Sequence, residues 1–119
     1  MTYEAWLYSR LTEVCPGTYL GYRKGTAPPL PWFAYSRRRG EEFYADNSNY
    51  ARLPRYRVEF LFKENDPKLV REFEAALSSI GTWSLYESDR IDAEGCLYHD
   101  YRLSLDISKF RESEANHGY

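Results

Sequence analysis

Asp66 and Pro67 open, and Gly81 closes, a stretch in which Leu69, Val70, Phe73, Ala76, Leu77 and Ile80 recur every three or four residues. Asp66 can accept from the first unpaired amides of a helix, Pro67 lacks the amide that the first turn leaves unused, and Gly81 tolerates the backbone turn that ends it. The spacing predicts an amphipathic helix with one apolar face that must be covered. On either side the period changes to two. Tyr56, Val58, Phe60 and Phe62 alternate with Arg55, Arg57, Glu59 and Leu61, and Leu97, His99, Tyr101, Leu103, Leu105 and Ile107 alternate with Tyr98, Asp100, Arg102, Ser104 and Asp106. Each run predicts a strand with one face on a core. A helix set between half-buried strands confines the chain to a layered α+β arrangement.

The remaining segments fit around this unit. Thr2 caps an expected first helix over residues 2–14, with Glu4 in its first turn, Tyr3, Leu7, Leu11 and Val14 at helical spacing, and Pro16 and Gly17 ending it. Residues 19–23 read as a short strand, and residues 25–31 hold three prolines that exclude regular structure. Residues 32–36 form an aromatic strand, followed by an expected hairpin tip over residues 37–42, where Gly40 takes the turn, and by a strand through Phe43 and Tyr44. Residues 82–88 resume strand character, and residues 89–95 read as a charged turn before the last strand. The expected order is α-β-β-β-β-α-β-β: a mostly antiparallel sheet with both amphipathic helices on one face, in a single domain over residues 1–108. Residues 109–119 are polar and aperiodic and read as a mobile tail.

Charge is nearly balanced, 16 Lys and Arg against 18 Asp and Glu, so no whole-molecule attraction to a polyanion is expected and nucleic acid is disfavoured. No apolar run approaches the roughly 20 residues that span a bilayer. Two cysteines, Cys15 and Cys96, are too few for a disulfide scaffold, and the N-terminus lacks the pattern of a secretory signal, so a soluble protein of a reducing cytosol is expected. The 12 tyrosines suit faces that are dry at one end and wet at the other, which points to assembly.

Candidate chemistry is sparse. Counting from Asp46, the sixth and twelfth residues are Ala51 and Arg57, where a calcium loop of the EF-hand type needs glycine and glutamate; Asp46, Asn47, Ser48 and Asn49 therefore read as a self-bonded turn. Cys15, Cys96, His99 and His117 match a zinc set in number but not in spacing, since Cys96 and His99 fall on opposite faces of one strand. His99 reads as a satisfied, partly buried histidine. The acidic turn Asp89, Asp92 and Glu94 has the composition of a solvated turn, and no phosphate loop, nucleophile elbow or HExxH helix occurs. Neither an enzyme nor a cofactor is expected. The arginines remain. Arg37, Arg38 and Arg39, with Arg52, Arg55 and Arg57 beside Tyr50 and Tyr56, make the best case for a nucleic-acid surface, but Glu41, Glu42 and Asp46 lie among them. Mixed charge with Arg and Tyr fits a protein neighbour better.

The run Tyr44, Ala45, Asp46, Asn47, then Tyr50, the strand from Tyr56 and the passage from Lys63 to Pro67 into the second helix resemble small tail completion or tail terminator proteins of tailed phages and prophages of Gram-positive bacteria. The resemblance reaches to about Ile107. It implies a non-enzymatic α+β subunit that assembles into a homo-oligomeric ring, often a hexamer, at the head-proximal end of the tail tube. There it stops growth and meets the head connector, first in the host cytoplasm and then in the virion; an isolated subunit of such rings can stay monomeric until a tail end templates it. On that reading Arg37, Arg38, Arg39, Glu41, Glu42, Tyr44, Asp46, Asn47 and Tyr50 form the partner interface.

Overall fold

The structure is a computed structural model of the 119-residue chain and describes residues 2–17, 30–38, 54–64, 66–91 and 95–116. Its elements in chain order are α1 (Tyr3–Thr12), β1 (Trp32–Arg37), β2 (Arg55–Lys63), α2 (Pro67–Ile80), β3 (Gly81–Ile91), β4 (Cys96–Leu105) and α3 (Ile107–Asn116). The four strands form one antiparallel sheet in the order β1-β2-β4-β3. This is the α+β fold that the alternating periods require. The expected strands at residues 19–23 and 43–44, the hairpin tip beyond Arg38 and the polar loop at residues 46–49 lie outside the described residues.

Register explains the two faces. Phe33, Phe60 and His99 stand in one row across β1, β2 and β4, and Tyr35, Val58, Tyr101 and Leu85 in the next row across all four strands, so period-two alternation turns most apolar residues to the same side, while Trp32, Leu61 and Tyr98 form a row on the other. That side meets Trp6, Leu7 and Leu11 of α1 and Phe73, Leu77 and Ile80 of α2 in one continuous core. At its centre the rings of Phe60 and Phe73 lie parallel, with centroids 3.9 Å apart and planes at 2°. Among the described residues no helix is long and apolar enough to cross a membrane.

The helix ends follow their sequence signals. Thr2 Oγ1 accepts from the amide of Ala5, and Asp66 Oδ1 accepts from the amide of Leu69, so both caps act three residues into the helix. Gly81 closes α2 and starts β3 with an extended φ of 177°, so a left-handed turn is not its reason for being glycine. A Cβ there would collide with the carbonyl oxygen of Ser104; close approach of two backbones excludes any side chain.

Three expectations change. The charged turn at residues 89–95 starts later, because β3 stays paired with β4 through Ile91 opposite Cys96; Gly95, with φ of 63°, sits in the left-handed region just before β4. The last strand stops at Leu105, and Ile107 begins a helix instead of continuing the sheet. The segment expected as an aperiodic tail from residue 109 is thus mostly α3. Asp106 starts it by accepting from the amides of Ser108 and Lys109, and Phe110 packs edge-on against Tyr3 and Trp6, with centroids 4.6 and 5.4 Å away. A short polar helix of this kind is held by tertiary packing, not by its own periodicity.

Candidate interaction surface

The same alternation that builds the core puts the polar residues on the second face of the sheet. Arg38 continues β1 past its end and donates its amide to the carbonyl of Arg55. Arg55, Ser104 and Thr82 then stand in one row, Arg57, Arg102 and Ser84 in the next polar row, and Glu59, Asp100 and Glu87 in the one after. A bulge between Leu85 and Glu87 sets Glu87 opposite Asp100 and leaves Tyr86 as the extra residue. This face therefore changes from basic to acidic along the strands.

Asp100 lies at the change of sign and is only 1% exposed. Its Oδ2 accepts from Arg57 Nε at 3.2 Å and its Oδ1 from Arg102 Nη1 at 2.5 Å, so the two oxygens bind one guanidinium each from two directions. Arg57 Nη2 donates to Tyr98 Oη at 3.1 Å, and Tyr98 Oη donates to Glu59 Oε2 at 3.3 Å. A buried carboxylate with both oxygens satisfied fixes the rotamers of its partners, so the arrangement is a rigid platform.

Two features stand out beside it. Tyr86, the extra residue of the bulge in the outer strand β3, is 65% exposed, and the Arg102 guanidinium lies over its ring, 3.9 Å from the centroid; Leu85, in the core-side row, is 44% exposed. Beside them a cleft of about 280 Å³ is lined by Arg38, Arg55 and Arg102, by Thr82, Ser84 and Ser104, and by Trp83 and Leu103. Partial burial and the neighbouring charges of Arg102 and Arg55 push Arg38 below its ordinary value, with Asp100 and Tyr86 opposing them.

On the core side, Tyr101 Oη donates to Glu74 Oε2 at 2.8 Å and accepts from His99 Nδ1 at 2.8 Å. Burial raises the Tyr101 hydroxyl, reinforced by Glu74, and lowers the His99 imidazole against the opposing pull of Glu74. His99 is the satisfied, half-buried histidine that its strand position predicts. Cys96 and His99 do fall on opposite faces, and among the described residues no three His, Cys, Asp or Glu side chains converge as metal ligands.

Of the residues expected at a partner interface, only Arg37 and Arg38 are described. They diverge: Arg37 turns to the helix side, 3.9 Å from Glu4 and over the Tyr56 ring, whereas Arg38 enters the cleft. Arg39, Glu41, Glu42, Tyr44, Asp46, Asn47 and Tyr50 lie outside the described residues, as does Arg52. Tyr56 is fully buried, so it offers no ring for stacking, and Arg57 is committed to Asp100 and Tyr98. Sequence reasoning missed Asp100, Arg102 and Tyr86. An acid flanked at two residues' distance by arginine on a polar strand face was the only visible trace of that cluster.

Fold and surface together define a two-layer α+β domain whose helices cover one sheet face and whose second face carries a charge-patterned platform. No protein-family model and no curated protein matches the chain.

Proposed function

We propose that this protein is a non-enzymatic structural subunit of a phage or prophage tail, which completes the tail tube and joins it to the head connector through self-association and protein contacts. One observation supports the reading most. The 11-residue strand β3 is hydrogen-bonded only to β4 among the described residues and presents Leu85 and Tyr86 to solvent. A long outer strand with exposed apolar residues is a liability for a free monomer and an asset for a subunit that is covered on assembly. The resemblance around Tyr44, Asp46 and Asn47 supplies the kind of assembly, a ring at the tail end formed in the host cytoplasm and carried in the virion neck.

A nucleic-acid module using the arginine surface is the second reading, favoured by the Arg38, Arg55 and Arg102 cleft and weakened by the burial of Tyr56. Light scattering across a concentration series, with and without a DNA oligonucleotide at low salt, separates them. A ring-sized mass, or a monomer indifferent to DNA that closes purified tail tubes, is the expected result. A DNA-dependent mass abolished by added salt overturns it.

A further inference from the structure

We propose that β3 pairs with β3 of a second copy of this chain, antiparallel about a two-fold axis at Ser84, so that two four-stranded sheets join edge to edge. Such a pair closes on itself, whereas ring contacts are heterologous, so the inference goes beyond the tail reading and does not rest on it. It starts from the distribution of charge along the outer strand. Residues 82–86 carry none and include the exposed apolar side chains Leu85 and Tyr86, whereas residues 87–90 hold Glu87, Asp89 and Arg90. Charges and bulges are what keep an exposed edge from pairing, and here the charges and the bulge between Leu85 and Glu87 all fall beyond Leu85. The first half of the strand has no such guard, and among the described residues its only strand partner is β4.

The same residues choose the register. A two-fold pair sets one residue opposite itself and the neighbours on one side opposite those on the other. Centred on Glu87 or Asp89, it would put an acid against itself, and centred on Ser88 it would put Glu87 against Asp89 twice; like charges directly opposite destabilise. Centred on Leu85 or Tyr86, it would run through the bulge, where the facing of the residues shifts by one, and set Glu87 against Trp83 or Leu85 of the core-side row. Centred on Trp83, it would leave Tyr86 unmatched. Centred on Ser84, the pair spans residues 82–86 with both faces matched: Trp83 opposite Leu85 on the helix side and Thr82 opposite Tyr86 on the other, each twice. Trp83 is already fixed for this role, its Nε1 donating to Ser78 Oγ at 2.8 Å and its ring edge-on to Tyr101 at 5.4 Å. The Trp83 of the second copy covers Leu85, which is 44% exposed despite its core-side row. A contact of five residues a strand lies at the small end of specific interfaces, so the chain is mainly monomeric in dilute solution and pairs at high concentration.

Disulfide trapping of the full chain tests the register. Opposed residues of an antiparallel pair have Cα atoms about 4.5–5.5 Å apart, which a disulfide spans, and two copies of Glu87 in this register lie about 20 Å apart along the strands. Ser84→Cys should therefore form a covalent dimer in a glutathione redox buffer at least about tenfold faster than Glu87→Cys. Cys15 and Cys96 are buried and do not compete. Adding Leu85→Glu, at an exposed position, should bring the Ser84→Cys rate down to that of Glu87→Cys while the amide spectrum keeps the pattern of the fold. In the unaltered chain, concentration-dependent amide shifts should centre on residues 82–86. A Ser84→Cys rate no higher than that of Glu87→Cys, a rate indifferent to a folded Leu85→Glu variant, or concentration-dependent shifts centred elsewhere each overturns the proposal. So does a Ser84→Cys chain that cross-links to a tail protein and never to itself, which makes a partner's segment the occupant of the edge. Failure of the two readings is distinguishable: a chain that cross-links yet does not close tail tubes keeps the pair and loses the tail, and closure without cross-linking does the reverse.

Discussion

Asp100 and Arg57 face each other diagonally across β4 and β2, and the 3.2 Å contact between Asp100 Oδ2 and Arg57 Nε joins residues 43 apart in the chain. The carboxylate is 1% exposed, while the arginine side chain is 41% exposed. Replacing Asp100 by Ala removes the acceptor of two guanidiniums and leaves their donors unmatched beside the sheet. A loss of about 2–3 kcal/mol is expected in urea unfolding, the range for buried hydrogen bonds to charged groups with partly solvated partners. Arg57→Ala, whose partner keeps Arg102, should lose less.

The core answers to a different substitution. Phe73 is fully buried and stacks on Phe60, so Phe73→Ala should cost about 3–5 kcal/mol through lost contact and the cavity left behind, with Phe73→Leu milder. Chemical denaturation with an unchanged m-value is the measurement that checks it.

Stability should fall at both ends of the pH scale. Burial lowers the His99 imidazole from its ordinary 6.5, so the unfolded chain takes up that proton first as pH drops, and stability should decline below about pH 6.5. At the other end, burial raises the Cys15 thiol from 9.0 to about 11, and also raises the hydroxyls of Tyr56 and Tyr101. Here the unfolded chain loses its protons first, so stability is complete below pH 9 and lost above it. Urea midpoints across this range should trace a dome, and Cys15→Ala should flatten its arm between pH 9 and 11.

Removal of Phe110 tests α3. The ring covers Tyr3 and Trp6, so Phe110→Ala should cost about 2 kcal/mol, less than a full core truncation because Phe110 is only partly buried. Trp6 emission should shift to the red in the folded variant as water reaches the indole.

Charge reversal at Arg37, Arg38 and Arg39 tests the assembly surface as a whole. Tail closure should be lost while the isolated chain keeps its fold, apart from a small loss where Arg37 meets Glu4 at 3.9 Å, an exposed pair of the kind worth under about 1 kcal/mol. Unchanged closure would remove this segment from the interface.

What could be read in the chain alone follows one rule: a property was legible where its cause is local. The second helix, from its Asp66 cap to its last residue Ile80, and the strands around Tyr56 and Tyr101 were legible because caps and apolar periods are set by neighbours within a few residues. The sequence by itself thus determined an α+β layer, its buried face and the position of His99 inside it. Helix α3 was not legible, because Phe110 becomes a packing residue only once Tyr3 and Trp6 of α1 have been brought beside it. The platform was not legible either. Which charges neutralise one another depends on the strand order β1-β2-β4-β3 and on a bulge that moves Glu87 by one position, and neither leaves a local trace. Tertiary structure alone therefore decided that Arg37 and Arg38 part company, that Asp100 binds two arginines and that Arg38, Arg55 and Arg102 line one cleft, because electrostatic partners are chosen by proximity in space and not along the chain.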